Sequence, residues 1–441
     1  MKRVLFFLLL VVLLSACKEE GTKYSNVFDS PVLYAKTVKE LNNVVMQNNF
    51  PPIIASRNYV YASIAAYEVV ALGDDRFQSL AGQIKHLPKI PQQDLNNVNF
   101  QYAAILAFCK TGEAVTFPEG SMTAYRAMLD SLVKISGMNA AMKEASIQLA
   151  DSVANHILRW SRKDNYAETR TGERYNITKE EGRWIPTPPA YAQALEPNWR
   201  DIRPMVMDSA DQFTPPRPPV FNMTDKQSKF YQEVLAVKSA GDSLTDEQKH
   251  IAEFWDDLGN RTIVEGHVMF TAKKFSPPGH WMNIVGIAAE KAKVDFSTTV
   301  YAYAKTAIAM FDGFIQCWDE KYRSNLVRPE TVINKYIDPD WRPYLQTPPF
   351  PEYTCGHSTV SASAAEALTD VFGDNFAYTD SSELEFGIKN RSFTSFRQAA
   401  IENNWARFYG GIHFHHSCLI STDHGKMVGE LVNQRLKMKI K

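Results

Sequence analysis

Apolar residues recur at three- and four-residue steps in segments spread along most of this 441-residue chain. Such steps place the apolar side chains on one face of a helix. The segments are also rich in alanine, leucine, glutamate and lysine, which favour helix. They comprise residues 58–71, 139–160, 245–258, 299–322 and 359–372. Because no series of alternating strand patterns accompanies them, we predict an all-α fold.

A dense group of prolines interrupts the helical pattern between residues 184 and 219, which hold nine of the 23 prolines. A helix cannot continue through that density of proline. The stretch also contains Trp184, Trp199 and Phe213, which make it too aromatic for a solvated linker. We therefore predict an ordered strap that packs across helices.

The chain is longer than the size at which a single hydrophobic core stops growing, which favours two lobes. We place an N-terminal helical lobe at residues 17–183 and the proline-rich strap with a connecting helix at residues 184–244. A C-terminal helical domain follows at residues 245–441, and it contains the side chains with candidate chemistry.

The first 16 residues have the composition of a secretory signal peptide. Lys2 and Arg3 precede eleven apolar residues, 4–14, a run too short to span a bilayer, which needs about 20 residues. The sequence Leu-Ser-Ala-Cys that ends at Cys17 is similar to a bacterial lipobox and predicts lipidation of the Cys17 thiol. We therefore expect a protein anchored by lipid to the bacterial outer membrane, on its periplasmic or cell-surface face.

Charge and cysteine usage exclude some classes of partner. With 48 basic and 49 acidic residues the net charge is −1, which argues against nucleic-acid binding and leaves the lipid anchor as the expected membrane contact. Beyond Cys17 the cysteines are widely spaced, and we predict no disulfide framework. They are Cys109, Cys317, Cys355 and Cys418.

The segment "KYRSNLVRPE", residues 321–330, contains two cations at a helical spacing. Lys321 and Arg328 are seven residues apart, so a continuous helix ending before Pro329 would place both on one face. Two such cations usually mark a solvated surface. The preceding "AIAMFDGFIQCW" is strongly apolar, however, and therefore predicts that this helix enters the core.

The segment "TPPFPEYTCGHSTVSASAAEAL", residues 347–368, predicts an irregular stretch followed by a helix. Ser358 or Thr359 is the expected helix cap. The first backbone N–H groups of such a helix have no partner within it and form a ready site for an oxyanion. Gly356 permits close approach of the backbone, and His357 lies at the expected mouth of the site.

The segment "RFYGGIHFHHS", residues 407–417, contains three histidines beside a Gly-Gly break. Two interpretations compete. The histidines 413, 415 and 416, with Asp423 and His424, could form a zinc site like that of a metallo-β-lactamase. Alternatively, His413 alone meets an oxyanion held by Arg407, which lies six residues earlier.

The combined pattern resembles the superfamily of vanadium-dependent haloperoxidases and type 2 phosphatidic acid phosphatases. The first motif is a lysine separated by six residues from Arg-Pro. The second is Gly-His at the start of a helix of small residues, and the third is an arginine separated by five residues from a histidine. These motifs cover residues 320–425 and look like the bacterial haloperoxidase-like branch. Wider resemblance includes "ASRNYVYASIAAYE" and "PPGHW". The fold that this resemblance implies is an all-α pair of helical bundles.

The resemblance implies roles for individual residues around bound vanadate, or phosphate in the same site. Lys321, Arg328 and Arg407 would neutralise the oxygens of the anion, and the N–H of Gly356 would add a hydrogen bond. His413 would supply the apical nitrogen, and His357 would be the acid–base group opposite.

Two aromatic residues resemble family positions, and two other residues depart from the family pattern. Phe350 resembles the position that borders the halide site, and Trp318 is expected to border the vanadate pocket. Cys355 stands where the family usually has serine, and its pKa should fall beside three cations. Ser417 stands where many members have an aspartate, for which Asp423 is the nearest substitute in sequence.

We therefore predict a vanadate-dependent haloperoxidase-like enzyme that oxidises iodide or bromide with hydrogen peroxide. The alternatives are an acid phosphatase that cleaves phosphate esters through a phosphohistidine, a zinc hydrolase, and a non-catalytic surface binding lipoprotein.

Overall fold

The fold was analysed in a computed structural model that describes residues 24–259 and 261–440. The predicted signal peptide and Cys17 lie outside these residues. The described chain is dominated by helices, as the periodicity predicts, and the all-α class is confirmed. The helices are α1 (Pro31–Gln47), α2 (Pro52–Gly73), α3 (Phe100–Ala114), α4 (Thr123–Ser136), α5 (Ala140–Ser161), α6 (Tyr166–Thr169), α7 (Lys229–Asp242), α8 (Asp246–Phe254), α9 (Pro277–Ala292), α10 (Phe296–Ser324), α11 (Pro329–Tyr336), α12 (Gly356–Phe372), α13 (Phe396–Tyr409) and α14 (His415–Arg435).

Short strands form two small antiparallel pairs. Strands β1 (Thr262–Glu265) and β2 (Val268–Thr271) make one hairpin. Strands β3 (Tyr378–Asp380) and β4 (Arg391–Phe393) make the other pair. Each pair is too short to compete with the helical layers, so the strands only connect helices.

Many helices begin at a side chain that satisfies a free backbone donor. Thr245 begins α8 with a capping box, in which its side chain and that of Gln248 each accept a backbone N–H. Asp295 caps the long α10 by accepting the N–H of Thr298. Such caps stabilise a helix by about 1 kcal/mol each and fix where it starts.

The core is built around α2 and α10, which are buried along most of their length. One continuous apolar cluster runs from Phe28 to Met438 and includes residues from both predicted lobes. The two lobes therefore share a core in this structure, and the predicted domain boundaries stay a prediction. Within the described residues, the structure has no helix that is both long and apolar enough to cross a bilayer.

The proline-rich stretch is irregular and ordered against the helices. Trp184 and Trp199 are fully buried. The carboxylate of Asp312, in the middle of α10, accepts backbone N–H groups of the stretch at 2.6–2.9 Å. Burial raises the pKa of Asp312 to about 6, although these hydrogen bonds favour its charged form. The buried Asp312 carboxylate thus holds the strap against the central helix through backbone hydrogen bonds.

Two predicted helix boundaries are wrong. Helix α10 ends at Ser324 because Asn325 adopts a left-handed conformation with φ of 52°, so Lys321 and Arg328 do not share a helix. Pro329 begins α11, where a missing N–H costs nothing. Helix α12 begins at Gly356, with Cys355 in the cap position that was predicted for Ser358 or Thr359.

Helices α12 and α14 pack side by side in a parallel direction. The N–H of Cys355 donates to Ser421 Oγ at 2.7 Å, and further along Gly425 lies against Thr359. A Cβ atom on Gly425 would lie 2.1 Å from the Thr359 carbonyl oxygen, so only glycine permits this contact. The pairing brings the start of α12 and the start of α14 to the same end of the bundle.

Candidate active site

Lys321 lies in the last turn of α10 and is completely buried. Its ammonium group donates to the carbonyls of Pro351 at 2.9 Å and Glu352 at 3.1 Å, and also to that of Thr354. Burial lowers the pKa of Lys321 to about 8. The irregular segment before α12 therefore wraps around this lysine and holds it in place.

Arg328 immediately precedes α11 and is also fully buried. Its Nε donates to the Phe350 carbonyl at 2.9 Å, and Nη1 donates to the Ile412 carbonyl at 2.8 Å. Nη1 also lies 3.0 Å from Nε2 of His413. Burial lowers the pKa of Arg328 to about 10. The remaining nitrogen, Nη2, is buried without a hydrogen-bond partner among the described residues.

Arg407 lies in the last turn of α13 and is 1% exposed. Its Nη1 donates to the carbonyls of Trp255 at 2.7 Å and Asp256 at 3.2 Å, just beyond α8. Burial raises the pKa of the nearby Asp256 carboxyl, which weakens it as a counter-charge. Within the described part of the chain, Nε of Arg407 is likewise buried without a partner.

His413 is held between a carboxylate and an arginine. Nδ1 lies 2.7 Å from Oε1 of Glu352, and Nε2 lies 3.0 Å from Nη1 of Arg328. Arginine only donates and a carboxylate accepts, so the hydrogen of the neutral ring belongs on Nδ1 and the lone pair on Nε2. The same Glu352 oxygen accepts the N–H of Phe414 at 3.1 Å. His413 therefore directs its Nε2 lone pair toward the cations, where it accepts a hydrogen bond from Arg328 Nη1.

Glu352 is the functional residue that the sequence analysis missed. Ser417 cannot replace a carboxylate, and Asp423 is exposed on α14. Glu352 is fully buried. Burial acts to raise its pKa, but His413, Arg328 and Lys321 together outweigh burial, and the pKa of Glu352 lies below its usual value. The only signal for Glu352 was its position inside the "PFPEYTCGHS" motif, where it stands five residues before His357.

His357 lies in the first turn of α12 and is partly buried. Its Nε2 is 3.2 Å from the carbonyl oxygen of Asp256, so Nε2 carries the hydrogen and Nδ1 the lone pair. Burial, reinforced by the charge of Arg407, holds the pKa of His357 well below its usual value. This histidine is therefore a neutral imidazole with a free acceptor nitrogen.

Cys355 caps α12 and is buried. Burial acts to raise its pKa, but hydrogen bonding with Cys418 and the proximity of His413 bring the pKa well below its usual value. The predicted direction is therefore right, although the main causes are a thiol and an imidazole rather than the three cations. The described cysteines 109, 317, 355 and 418 are all free.

Trp318 and Phe350 form an apolar wall beside the cations. Their ring centroids are 5.0 Å apart. The Lys321 ammonium lies 4.9 Å from the Phe350 centroid, and the Arg328 guanidinium lies 5.0 Å from it. Cations near ring faces gain from the negative face of the ring, so the wall supports the charged groups while excluding water.

The residues around His413 form what we call the anion cage: Lys321, Arg328, Glu352, Gly356, His357, Arg407 and His413. Its cations outnumber its carboxylate by three to one, and two guanidinium nitrogens lack partners within the described chain. The described hydrogen bonds include none from the N–H groups of residues 356–358 at the start of α12. A donor-rich, water-poor site of this kind fits a tetrahedral oxyanion.

Comparisons with known proteins identify the family of the chain. Residues 334–441 match the family model for the VCPO second helical-bundle domain. A crystal structure of the first bacterial vanadium-dependent iodoperoxidase superposes with a TM-score of 0.89 at 41% sequence identity. That match covers 95% of this chain and 100% of the other. The chain belongs to the vanadium-dependent haloperoxidase superfamily.

Two further structures share the fold at lower sequence identity. The holo form of a bacterial vanadium-dependent chloroperoxidase is 16% identical, with a TM-score of 0.64, over 87% of this chain and 92% of that one. The apo form is 17% identical, with a TM-score of 0.66, over 87% and 93%. No curated protein matches the chain. The two-bundle haloperoxidase fold therefore extends well beyond the residues of the family model.

The other three histidines of the C-terminal segment, His415, His416 and His424, contact residues outside the cage. His415 stacks on Trp405 with ring centroids 4.2 Å apart. His416 stacks on Tyr353 at 5.8 Å, and His424 contacts the Phe213 carbonyl at 2.9 Å. The zinc-site hypothesis is therefore wrong for these histidines. In the described residues, the group that is close enough to hold a metal is a different one, Asp257, His280 and Glu383.

Membership of this superfamily implies a vanadium cofactor. The anion cage fits it by its donor set: N–H groups for oxygens and the Nε2 lone pair of His413, which faces the cations. The structure thus brings together every candidate cage residue from the sequence, with Trp318 and Phe350 beside it.

Proposed function

We propose that this protein is a vanadate-dependent haloperoxidase that oxidises iodide or bromide with hydrogen peroxide. The observation that carries the proposal is the lone pair of His413 Nε2, which faces buried, partly unpartnered guanidinium groups. The 41% identity to a vanadium iodoperoxidase supports the same activity and favours iodide.

Vanadate would be held by Lys321, Arg328 and Arg407 through its oxygens, with His413 Nε2 as the protein ligand to vanadium. When bound, the vanadium centre supplies a Lewis acid that activates peroxide for two-electron oxidation of halide. The two arginines provide permanently charged, planar donors, and lysine adds a point charge. Because the cage is preformed, its donors need little reorganisation during turnover.

Glu352 is proposed to position His413. By accepting the Nδ1 hydrogen at 2.7 Å it keeps the lone pair on Nε2 and fixes the orientation of the ring. Carboxylate partners of this kind also raise the basicity of a ligating histidine. Glu352 thus takes the place of the aspartate that Ser417 replaces, from a different part of the chain.

His357 is proposed to be the acid–base group. It is neutral because its pKa is low, and its Nδ1 lone pair is free while Nε2 is tied to the Asp256 carbonyl. It therefore can accept a proton from peroxide that enters the cage and return it to the leaving oxygen. General acid–base transfer of this kind contributes about 10²–10⁴-fold to rate.

Trp318 and Phe350 are proposed to border the halide path. An apolar wall beside buried cations favours an anion that gives up its hydration easily, which iodide does more readily than smaller halides. This agrees with the description of the 41%-identical relative as an iodoperoxidase.

The decisive experiment titrates purified apoprotein with orthovanadate and measures iodide and bromide oxidation in parallel with phosphate-ester hydrolysis. We expect peroxide-dependent halide oxidation that saturates at one vanadate per chain. Hydrolysis that vanadate inhibits, without halide oxidation at any vanadate concentration, would instead favour the phosphohistidine phosphatase. Absence of both activities would leave the non-catalytic lipoprotein.

We also propose that the mature protein is tethered to the outer membrane through a lipid on Cys17. The support is the Leu-Ser-Ala-Cys sequence that follows a short apolar run. A Cys17→Ser variant should move from the membrane fraction to the soluble fraction while its halide oxidation is unchanged. Retention of the variant in the membrane fraction would contradict the anchor.

A further inference from the structure

A second group of buried ionisable side chains lies next to the anion cage, and haloperoxidase activity does not account for it. We call it the acidic cluster: Asp257, His280, Asp380 and Glu383. Their exposed fractions are 0–1%. Asp257 follows α8, His280 is in the first turn of α9, Asp380 ends β3, and Glu383 is in a short 3₁₀ helix, Ser382–Phe386. Four separate elements thus converge on one histidine.

The histidine of the cluster has the surroundings of a metal ligand. Nε2 lies 2.9 Å from Oδ2 of Asp380, which can accept a hydrogen there and leave the lone pair on Nδ1. Nδ1 lies 2.9 Å from Oδ1 of Asp257 and 3.8 Å from Oε1 of Glu383. Histidines that bind metals usually donate their other N–H to a carboxylate or a carbonyl, as here.

Several carboxylate oxygens of the cluster lack hydrogen-bond partners. Oδ2 of Asp257 and both oxygens of Glu383 are buried and accept no hydrogen bond from the described residues. The Lys274 ammonium lies 3.3 Å from Oε2 of Glu383. The cluster thus has three carboxylates and one neighbouring lysine, so two further positive charges are needed for balance. Either two protons, on His280 and one carboxyl group, or one divalent cation supplies them.

We propose that Asp257, His280 and Glu383 bind a divalent first-row metal cation. One imidazole nitrogen and two carboxylate oxygens suit zinc, and manganese or iron to a lesser degree. The ligand atoms lie within 4.8 Å of one another, which is compatible with a common ion. A cation can bind the unpartnered carboxylate oxygens of Asp257 and Glu383 directly, whereas protons leave these oxygens without a donor from the rest of the described chain.

The cation would have a structural role that the cage depends on. Asp257 directly follows Trp255 and Asp256, whose carbonyls receive the hydrogen bonds of Arg407. The Asp256 carbonyl also fixes the ring of His357. A metal ion on Asp257 would therefore set the position of both groups, and it is distinct from the vanadium that the superfamily uses.

The test is elemental analysis of the purified full-length protein, produced in cells supplied with zinc and manganese and handled without chelators. We expect about one equivalent of a divalent first-row metal per chain, independent of vanadium content. A Glu383→Gln variant should contain at most a tenth of the wild-type metal content. The matched control Glu366→Gln removes another buried carboxylate, which pairs with Arg397, and should keep it.

The wild-type measurement stands even where Glu383→Gln fails to fold. Less than a tenth of an equivalent in the wild type would overturn the proposal and leave the two protons as the counter-charge. Equal metal content in a folded Glu383→Gln variant would overturn it as well. X-ray absorption of the wild-type protein at the metal edge should show nitrogen and oxygen ligands, and sulfur ligation would contradict the site. Vanadate-dependent activity is measured separately, so failure of either proposal can be recognised.

Discussion

The anion cage and the acidic cluster are neighbours, yet the excess of unpartnered buried atoms is of opposite kind. In the cage these atoms are two guanidinium donors, on Arg328 and Arg407, and one acceptor, Oε2 of Glu352. In the acidic cluster they are acceptors, on Asp257 and Glu383. The residues 255–257 connect the two sites, since they bind Arg407 through carbonyls and contribute Asp257 through its side chain.

The difference shows how burial determines what a site can bind. A charge that is buried without a partner costs several kcal/mol, so each cluster needs a species of opposite charge or a change of protonation. Arginines cannot release their protons at ordinary pH, so the cage must take an anion. Carboxylates can take up protons, so the acidic cluster has a choice between protons and a cation.

The largest expected effect distinguishes His413 from its neighbours. His413→Ala should abolish halide oxidation because the cage loses the Nε2 lone pair that faces Arg328. His415→Ala and His416→Ala should each retain most of the activity, since those rings pack against Trp405 and Tyr353. Peroxide-dependent triiodide formation measures all three. Equal loss of halide oxidation in the three variants would instead favour a metal site shared by several histidines.

The next effect concerns the donors that have no partner. Arg328→Ala or Arg407→Ala should weaken vanadate binding roughly ten- to a hundredfold, because a charge-assisted hydrogen bond is worth ~1.5–3 kcal/mol. Arg323→Ala, which removes a partly exposed arginine paired with Asp319, is the control and should bind normally. Isothermal titration with orthovanadate, with circular dichroism to check the fold, gives the answer. Unchanged vanadate binding in both cage variants would show that these arginines do not hold the anion.

A third variant tests whether Glu352 orients the His413 ring or only neutralises the positive charge of the cage. Glu352→Gln should lower kcat about ten- to a hundredfold, as loss of a ligand-orienting partner typically does. Vanadate affinity should stay constant or rise, because a negative charge has been removed. Asp423→Asn, an exposed position, should change neither quantity. A folded variant whose kcat is unchanged would show that Glu352 does not act through His413.

The pH dependence of vanadate binding should report Lys321. Its pKa is lowered to about 8, so it is charged below that pH and neutral above it. Binding above pH 8 must then take up a proton, and affinity should fall by up to about tenfold per pH unit. Lys321→Met should bind more weakly at low pH and lose this component of the pH profile. A profile identical in wild type and variant would assign the titration to another group.

The smallest expected effect comes from Cys355. A thiolate beside the cage repels an anion and reacts with peroxide, so Cys355→Ser should raise vanadate affinity about threefold to tenfold, for a charge interaction of order 1 kcal/mol. It should also prolong activity in excess peroxide. Cys109→Ser, a buried thiol in α3, serves as control. Weaker binding and slower turnover in Cys355→Ser would reveal a positive role for sulfur.

Local spacing predicted much of the site, and long-range contacts explain what it missed. The helices and the positions of Lys321, Arg328, His357, Arg407 and His413 follow from patterns only a few residues long. Glu352 meets His413 across 61 positions, and no local pattern records such a contact. The turn at Asn325 escaped detection because apolar periodicity carries no information on a single left-handed residue. The acidic cluster was missed because its members come from four elements.

The parallel pairing of α12 and α14 has a consequence for thermal stability. Each helix carries roughly half a positive charge at its N-terminus, so two parallel neighbours concentrate positive potential at one end. Glu352 accepts an N–H at the start of α14 and offsets one of these poles. A bound oxyanion would offset the other, and at a hundred times its Kd it would add about 2.7 kcal/mol to the free energy of unfolding. The melting temperature of this protein would then follow the concentration of whichever tetrahedral oxyanion surrounds it, so vanadate would enter by competition with phosphate.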